Sequence, residues 1–359
     1  MKPRILSIGT ATPEYTLTQE SALDLSVELS GASPRRARAM QVLYKNCGVS
    51  QRHIAIYDAD GHQNLYQPNA NPQHHASTSE RMRRYLPLAA PLAEEACHSC
   101  LARSNMKPES ITHLVTVSCT GFAAPGLDLA IIDQLGLARD TPRVHVGFMG
   151  CHGAINGLRV AHALALAHRD SVVLLCCVEL CSLHFQFGGQ QGSDVANALF
   201  GDGAAACLIG VDPEVDHAPV IASTGSMIFE NTQGAMGWWI GDSGFEMQLS
   251  PSVPDHLAQV VKPWIEQWLE KVEMRIEDIA CWAIHPGGPR VLKVIGNVFQ
   301  LDPLITSMTS QVLREHGNMS SPTILFILQR MLDVGSRLPI VAMAFGPGLV
   351  GEGLLLTKS

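Results

Sequence analysis

The chain has 359 residues, of which 46% are hydrophobic and 16% charged, with a formal net charge of −8. The negative balance argues against nucleic acid as the main partner, and no run approaches the ~18 apolar residues of a membrane span. The length equals about 2.4 average domains, compatible with one large or two fused domains.

In chain order, the first apolar run, Ile5–Ile8, is too short for a signal peptide and predicts a first strand. Without an export signal the ten cysteines are expected to be reduced thiols in a cytoplasmic protein. The polar stretch Asp58–Ser79 predicts a surface loop or lid. Buried strands are expected at Ile111–Val117, Arg143–Phe148, Ser171–Val178, Ala204–Gly210, Ile279–Ile284 and Pro339–Ala344. Helix-like segments follow most of them, which makes the fold class α/β. Gly153–Leu166 is apolar on all sides, as in a central buried helix. Residues Val211–Pro219, rich in Asp, Pro and Glu, divide the chain into candidate halves 1–215 and 216–359. Leu257, Val261, Trp264, Trp268 and Val272 recur at helical spacing, the pattern of core packing.

Three segments share one design. Val146–Ala154 turns through glycines at Cys151 into a helix, where the helix N-terminus lowers a thiol's pKa. Ile279–Ile284 runs into His285-Pro286-Gly287-Gly288-Pro289, with Pro289 suited to a first helical position. His316-Gly317-Asn318-Met319-Ser320-Ser321-Pro322 offers Ser321 as N-cap of an apolar helix, Thr323–Met331. Cys151, His285 and Asn318 thus lie at turns into helices, where α/β sheets bind ligands. The imidazole can hold the thiol as thiolate, a nucleophile for an acyl group. His285 and Asn318 can donate to a thioester oxygen and stabilise the enolate left when a β-carboxy thioester loses carbon dioxide. Each residue also has an ordinary structural explanation, as core histidine or turn asparagine. A papain-like protease combines the same residue types, but its pattern around the cysteine is absent.

These segments, with Ala198–Ala205, Gly317–Ser321 and Phe345-Gly346-Pro347-Gly348, resemble the type III polyketide synthases of the chalcone synthase superfamily. The resemblance runs from Ile5 to the C-terminus. It implies a thiolase fold, five αβαβα layers from two similar halves, the first carrying the nucleophile and the second the His and Asn. It implies iterative decarboxylative condensation of malonyl-CoA onto an acyl-CoA starter held on Cys151, with His285 and Asn318 assisting. It implies a homodimer, no metal, and no cofactor beyond the coenzyme A thioester substrates. Phe200 matches a gatekeeper between the coenzyme A tunnel and the reaction cavity. Phe345, Gly346 and Pro347 match the loop that shapes cyclisation. Alternatives are an initiating ketoacyl-carrier-protein synthase and a non-catalytic thiolase-fold acyl-binding protein.

Val178–Gln186 and Met236-Gly237-Trp238 resemble bacterial members that make alkylpyrones or alkylresorcinols from fatty acyl starters. Plant flavonoid enzymes have glycine at Trp238, Phe at Met247 and Thr at Cys119. The bulky Trp238 is expected to close part of the cavity and the small Cys119 to open room for an acyl chain. Cys119, Thr120, His184 and Met247 are pocket candidates. Glu179 and Ser320 match a hydrogen-bond network that activates water for aldol cyclisation, and the weak donor Cys119 as third member favours a pyrone. Ala124 stands where plant relatives place a methionine that crosses into the neighbouring active site. For coenzyme A phosphates, Arg38, Lys45 and Arg290 are the candidates, with Arg36 and Arg52 in the same region as the first two.

Other signals are discounted. Gly346–Gly351 fits G-x-G-x-x-G with no helix-length segment after it. Cys97 and Cys100, like Cys176, Cys177 and Cys181, read as core thiols rather than metal ligands.

Overall fold

The computed structural model describes residues 2–58, 60–63, 65–66, 76–168, 170–187, 192–211 and 218–358. The first part of the chain forms β1 (Arg4–Ala11), β2 (Thr16–Thr18), α1 (Gln19–Ser30), α2 (Pro34–Asn46), β3 (Gln51–His53), α3 (Thr78–Ser104) and β4 (His113–Ser118). It continues with α4 (Leu127–Leu135), β5 (Arg143–Gly147), α5 (Gly153–Ala167), β6 (Val172–Leu180), α6 (Ser193–Leu199) and β7 (Asp202–Gly210). The second part begins with β8 (Val220–Ile228), β9 (Met236–Gly241), β10 (Gly244–Leu249), α7 (Val253–Glu270) and β11 (Cys281–Ile284). It ends with α8 (Pro289–Phe299), α9 (Ser307–His316), α10 (Pro322–Asp333), β12 (Ile340–Gly346) and β13 (Val350–Thr357).

Nine strands are hydrogen-bonded in the order β11-β12-β13-β8-β1-β7-β6-β4-β5. β1 and β8 meet at one paired position, Arg4 with Val220. On either side the pairing repeats. β1, β7 and β6 run antiparallel and β6, β4 and β5 parallel. β8, β13 and β12 run antiparallel and β12 and β11 parallel. Parallel pairs need crossovers, and the helices between these strands supply them.

The strands alternate their faces with period two, and this sorts the core. Leu174, Cys176 and Val178 of β6 pack with Ala89, Ala93 and Cys97 of α3. Val173, Leu175 and Cys177 face the other way, onto Ile155 and Leu158 of α5 and onto Leu325 and Leu328 of α10. In the second half Ile340, Ala342 and Ala344 join that central layer. Val341, Met343 and Phe345 pack with Leu257 and Trp264 of α7 and Ile295 of α8. The result is helix, sheet, helix, sheet, helix, the five-layer arrangement expected.

Two expectations change, and two others fall largely outside the described residues. Arg143–Phe148 is not a buried strand: β5 is the sheet edge, and its side chains are largely exposed, Val144 by 42%. Much of Asp58–Ser79, and the boundary near residue 215, lie outside the described residues. Within that first stretch Leu65 and Tyr66 are buried, and Ser77 and Glu80 form a reciprocal cap that starts α3. Ser321 precedes α10 as expected, but its side chain does not cap the helix.

Candidate active site

A strained turn delivers Cys151. After β5, Phe148 takes φ 58° and Gly150 φ 78°. A Cβ on Gly150 would lie 2.3 Å from Cδ of Pro347, so both its backbone angle and its neighbour demand glycine. Gly150–His152 makes one 3-10 turn that runs directly into α5.

Asn318 is held by a backbone crossing. Its N–H donates to the Leu199 carbonyl at 2.8 Å, and its carbonyl accepts from Gly201 N–H at 3.0 Å. Phe200 and Asn318 are therefore an isolated parallel bridge. Gly317 permits the approach: with φ 69°, a Cβ there would lie 2.7 Å from the Leu199 oxygen. Oδ1 of Asn318 accepts from Ser320 N–H at 2.8 Å, which turns Nδ2 toward Sγ of Cys151, 4.0 Å away.

His285 follows β11 and donates its backbone N–H to Met343 at 2.8 Å. Its ring is buried, and neither ring nitrogen has a hydrogen-bond partner among the described residues. Such a pair of orphans is costly unless a ligand meets them. Burial pushes the ring's pKa down to about 3, with the nearby His152 acting in the same direction. Cys151 does not have the lowered pKa its helix position predicts. Burial dominates and pushes the thiol up to about 11, against hydrogen bonds from Ser320 and Asn318. Charging either group alone is costly here. Moving the thiol proton to the imidazole creates both charges together, and their attraction offsets the desolvation.

Two cavities meet at this cysteine. One, of about 50 Å³, is lined by Cys119, Thr120, His184, Trp238, Phe245, Ser320 and Pro347. The other, of about 440 Å³, is lined by His285, Asn318, Arg290, Phe345 and apolar residues including Leu199 and Val253. Cys151, Ala196, Phe200, Met236 and Met247 line both. Phe200 thus stands in the partition, where a gatekeeper is expected. Gly346 lines neither cavity and presses against His152, where a Cβ would come within 2.5 Å of the ring.

The smaller cavity has an aromatic wall. Trp238 donates its indole N–H to the Cys119 carbonyl at 2.8 Å. His184 stacks on Phe245 at 4.1 Å and meets Trp238 edge-on at 5.6 Å. Its Nε2–H donates to the Thr120 carbonyl at 2.6 Å, and its Nδ1 accepts from Phe245 N–H at 3.0 Å. Burial pushes His184 down to about 3, so it is a neutral wall residue with both nitrogens engaged. Phe245 was not singled out from the sequence. It shares a face of β10 with Met247 two residues on, and strand alternation from Met247 points to it.

Glu179 lies behind this wall and lines neither cavity. Its carboxyl accepts from Cys119 N–H at 2.9 Å, from the Thr120 hydroxyl at 2.8 Å and from the Ser321 hydroxyl at 2.6 Å. The expected partner Ser320 instead faces Cys151. The left-handed backbone at Ser320, φ 58°, separates the directions of the two serines. Ser321's bond to Glu179 is also why it does not cap α10. Burial raises Glu179 to about 7.

The basic residues divide. Arg290 is exposed at the larger cavity. Arg38 and Lys45 are exposed on α2 and line neither cavity. Arg36 pairs with Asp194 at 2.8 Å, and Arg52 is fully buried.

The comparisons agree with this geometry. Residues 2–213 match the family model for chalcone and stilbene synthases, N-terminal domain, and residues 220–359 match the C-terminal domain. An alpha-pyrone synthesis polyketide synthase-like protein of Mycobacterium tuberculosis is 32% identical over 359 residues, covering 98% of this chain and 90% of that protein. A 1,3,6,8-tetrahydroxynaphthalene synthase of Streptomyces peucetius is 33% identical over 364 residues, covering 98% and 92%. Among solved structures, PKS-I of the brown alga Ectocarpus siliculosus superposes with a TM-score of 0.94 at 27% identity, covering 100% of this chain and 98% of the other. No helix among the described residues is long and apolar enough to cross a membrane. The chain belongs to the chalcone and stilbene synthase family and is a type III polyketide synthase, an enzyme that builds carbon–carbon bonds by decarboxylative Claisen condensation of coenzyme A thioesters with no further cofactor.

Proposed function

We propose that Cys151 carries the acyl chain, that His285 and Asn318 activate the extender, and that the product is an alkylpyrone grown from a medium or long fatty acyl-CoA starter with malonyl-CoA. The observation that carries this is the junction: a thiol where two cavities meet, with an amide NH2 4.0 Å away and an unpartnered imidazole lining the larger of the two with it. His285 takes the thiol proton, and the thiolate attacks the starter thioester and expels coenzyme A. Malonyl thioester then binds in the larger cavity, with its thioester oxygen between His285 and Asn318. Loss of carbon dioxide leaves an enolate whose carbon attacks the Cys151 thioester. The cysteine leaves as thiolate, and the extended chain, now on coenzyme A, returns to it for the next round. Phe200 keeps water from the enolate.

Two observations favour the acyl starter and the pyrone. The smaller cavity is walled mostly by apolar and aromatic side chains, the lining an acyl chain needs. Glu179 lies behind Cys119 and Thr120, with its oxygens occupied, rather than beside a water on the chain. An unactivated chain closes through its own enol oxygen to a lactone. Arg290, exposed at the larger cavity, is the first residue proposed for the coenzyme A phosphates, with Arg38 and Lys45 exposed on α2, whose Val42 and Asn46 line that cavity. The protein works in the cytoplasm as a homodimer of two-half subunits, with the apolar β5 face of Val144, Phe148 and Phe122 at the interface.

Mass spectrometry of products from acetyl-, benzoyl-, decanoyl- and tetradecanoyl-CoA with malonyl-CoA tests the reading. Alkylpyrones from the two long starters are expected. Comparable turnover confined to acetyl- and benzoyl-CoA would sink the starter assignment, and resorcinols would sink the pyrone. Product from Cys151→Ala would sink the mechanism.

A further inference from the structure

Arg52 carries a charge in a place where the reaction does not use one. It is fully buried on β3, and among the described residues no carboxylate is hydrogen-bonded to its guanidinium, with Asp202 acting on it only through space. Its donors go elsewhere. Nη1 donates to the carbonyls of Asn197 at 2.6 Å and Phe200 at 3.1 Å. Nη2 donates to the Ala198 carbonyl at 2.9 Å and to Oε1 of Gln19. Nε2 of Gln19 donates to the same Ala198 carbonyl at 3.0 Å.

The end of α6 can therefore be accounted for carbonyl by carbonyl. The Ala196 oxygen accepts from Phe200 N–H, and the Leu199 oxygen from Asn318 N–H. Those of Asn197, Ala198 and Phe200 accept from Arg52. A helix C-terminus leaves its last carbonyls unpaired and carries partial negative charge, so a buried cation there satisfies both demands. A planar guanidinium reaches several carbonyls at fixed angles, which a lysine ammonium does not.

This helix end is the partition of the active site. Ala196 and Phe200 line both cavities, Asn197 only the smaller and Leu199 only the larger. The carbonyl on one side of Phe200 is tied to Asn318 and its own carbonyl to Arg52. We propose that Arg52 is a positioning residue for the condensation: it fixes the Phe200 partition and, through the bridged backbone, the placement of Asn318 against Cys151. Arg52 touches neither cavity and acts only through α6. Its loss lets the partition drift, so that the malonyl-derived enolate takes a proton from water and leaves as acetyl-CoA instead of attacking the acyl thioester.

The inference rests on the reading of Phe200 as the gate, and the test separates the two. Arg52→Lys, Gln19→Met and Phe200→Leu are compared with the unaltered enzyme on decanoyl-CoA and malonyl-CoA. Acetyl-CoA and condensed product are quantified together, and thermal unfolding is followed in parallel. Arg52→Lys is expected to lower condensation about tenfold or more while decarboxylation falls less, because small misplacements of reacting groups cost rate steeply. The ratio of acetyl-CoA to product then rises. Gln19→Met removes one support of the same carbonyl and shifts the ratio in the same direction by less. If Arg52→Lys does not fold, Gln19→Met decides. A ratio unchanged in the folded Arg52 or Gln19 variants, with both activities falling in proportion, would mean a structural role only and overturn the proposal. If Phe200→Leu also leaves the ratio unchanged, the gate reading falls with it; if Phe200→Leu alone raises it, the gate stands and Arg52 does not position it.

Discussion

The Trp238 indole and the Cys119 carbonyl are joined at 2.8 Å across the smaller cavity, tying β9 to the loop after β4. The bond places the largest side chain of the wall directly over the residue expected to admit an acyl chain. Trp238→Gly is expected to enlarge this cavity and shift the product profile toward further extensions or bulkier starters. Stability should fall by about 1–3 kcal/mol, since the ring is only partly buried. An unchanged profile by liquid chromatography and mass spectrometry, in a variant that still folds, would show that Trp238 does not bound the product.

His285 is expected to be what makes Cys151 reactive near neutral pH. Burial, opposed by hydrogen bonds from Ser320 and Asn318, holds the thiol up at about 11. Without an imidazole to take its proton, that burial is uncompensated. Iodoacetamide alkylation of His285→Gln should therefore have its pH midpoint about 1 unit or more above that of the unaltered enzyme. Equal midpoints would mean that the imidazole does not share the proton.

Glu179 links pH to stability. An unfolded glutamate ionises near 4.5, but the buried one keeps its proton to about 7. Below 4.5 both states are protonated. Between 4.5 and 7 only the unfolded state loses the proton, so the folded state loses stability as pH rises, by up to about 3 kcal/mol. Asp202, raised by burial to about 6, acts in the same direction. Glu179→Gln stays neutral and can still meet the hydroxyls of Ser321 and Thr120. Its unfolding midpoint should fall less between pH 5 and pH 8 than that of the parent. Identical slopes would show that Glu179 is not the group concerned.

The β5 edge predicts assembly. Phe122 is 51% and Phe148 37% exposed, and both rings pack on Phe245 of the cavity wall. A contiguous apolar face of this kind marks an interaction surface. Light scattering is expected to give a dimer, and Val144→Asp a monomer with altered starter preference. A dimer that survives Val144→Asp would move the interface elsewhere.

The strands were legible because both faces of the sheets are covered, so β6, β7 and β12 read as continuous apolar runs. β5 was misread for the same reason: its apolar residues look like core, and sequence does not say that nothing lies beyond a sheet edge. Cys151, His285 and Asn318 were legible because each needs a local turn that glycine and proline mark. The difference between Ser320 and Ser321 was not. Adjacent serines look alike in a sequence, and only the left-handed backbone at Ser320 sends one to the thiol and the other to Glu179.

The sequence by itself determined the layered α/β fold, the candidate condensing residues and the family, because apolar periodicity, turn chemistry and motif order are local properties of the chain. The tertiary structure alone decided which charges and hydroxyls serve the site. Arg52, which falls in the same region of the sequence as Arg38 and Lys45, is buried under α6, and Arg290 lines the cavity while Arg38 and Lys45 do not. The reason is physical: the free energy of a charged or hydrogen-bonding group depends on what surrounds it in space, and those neighbours come from segments more than a hundred residues away.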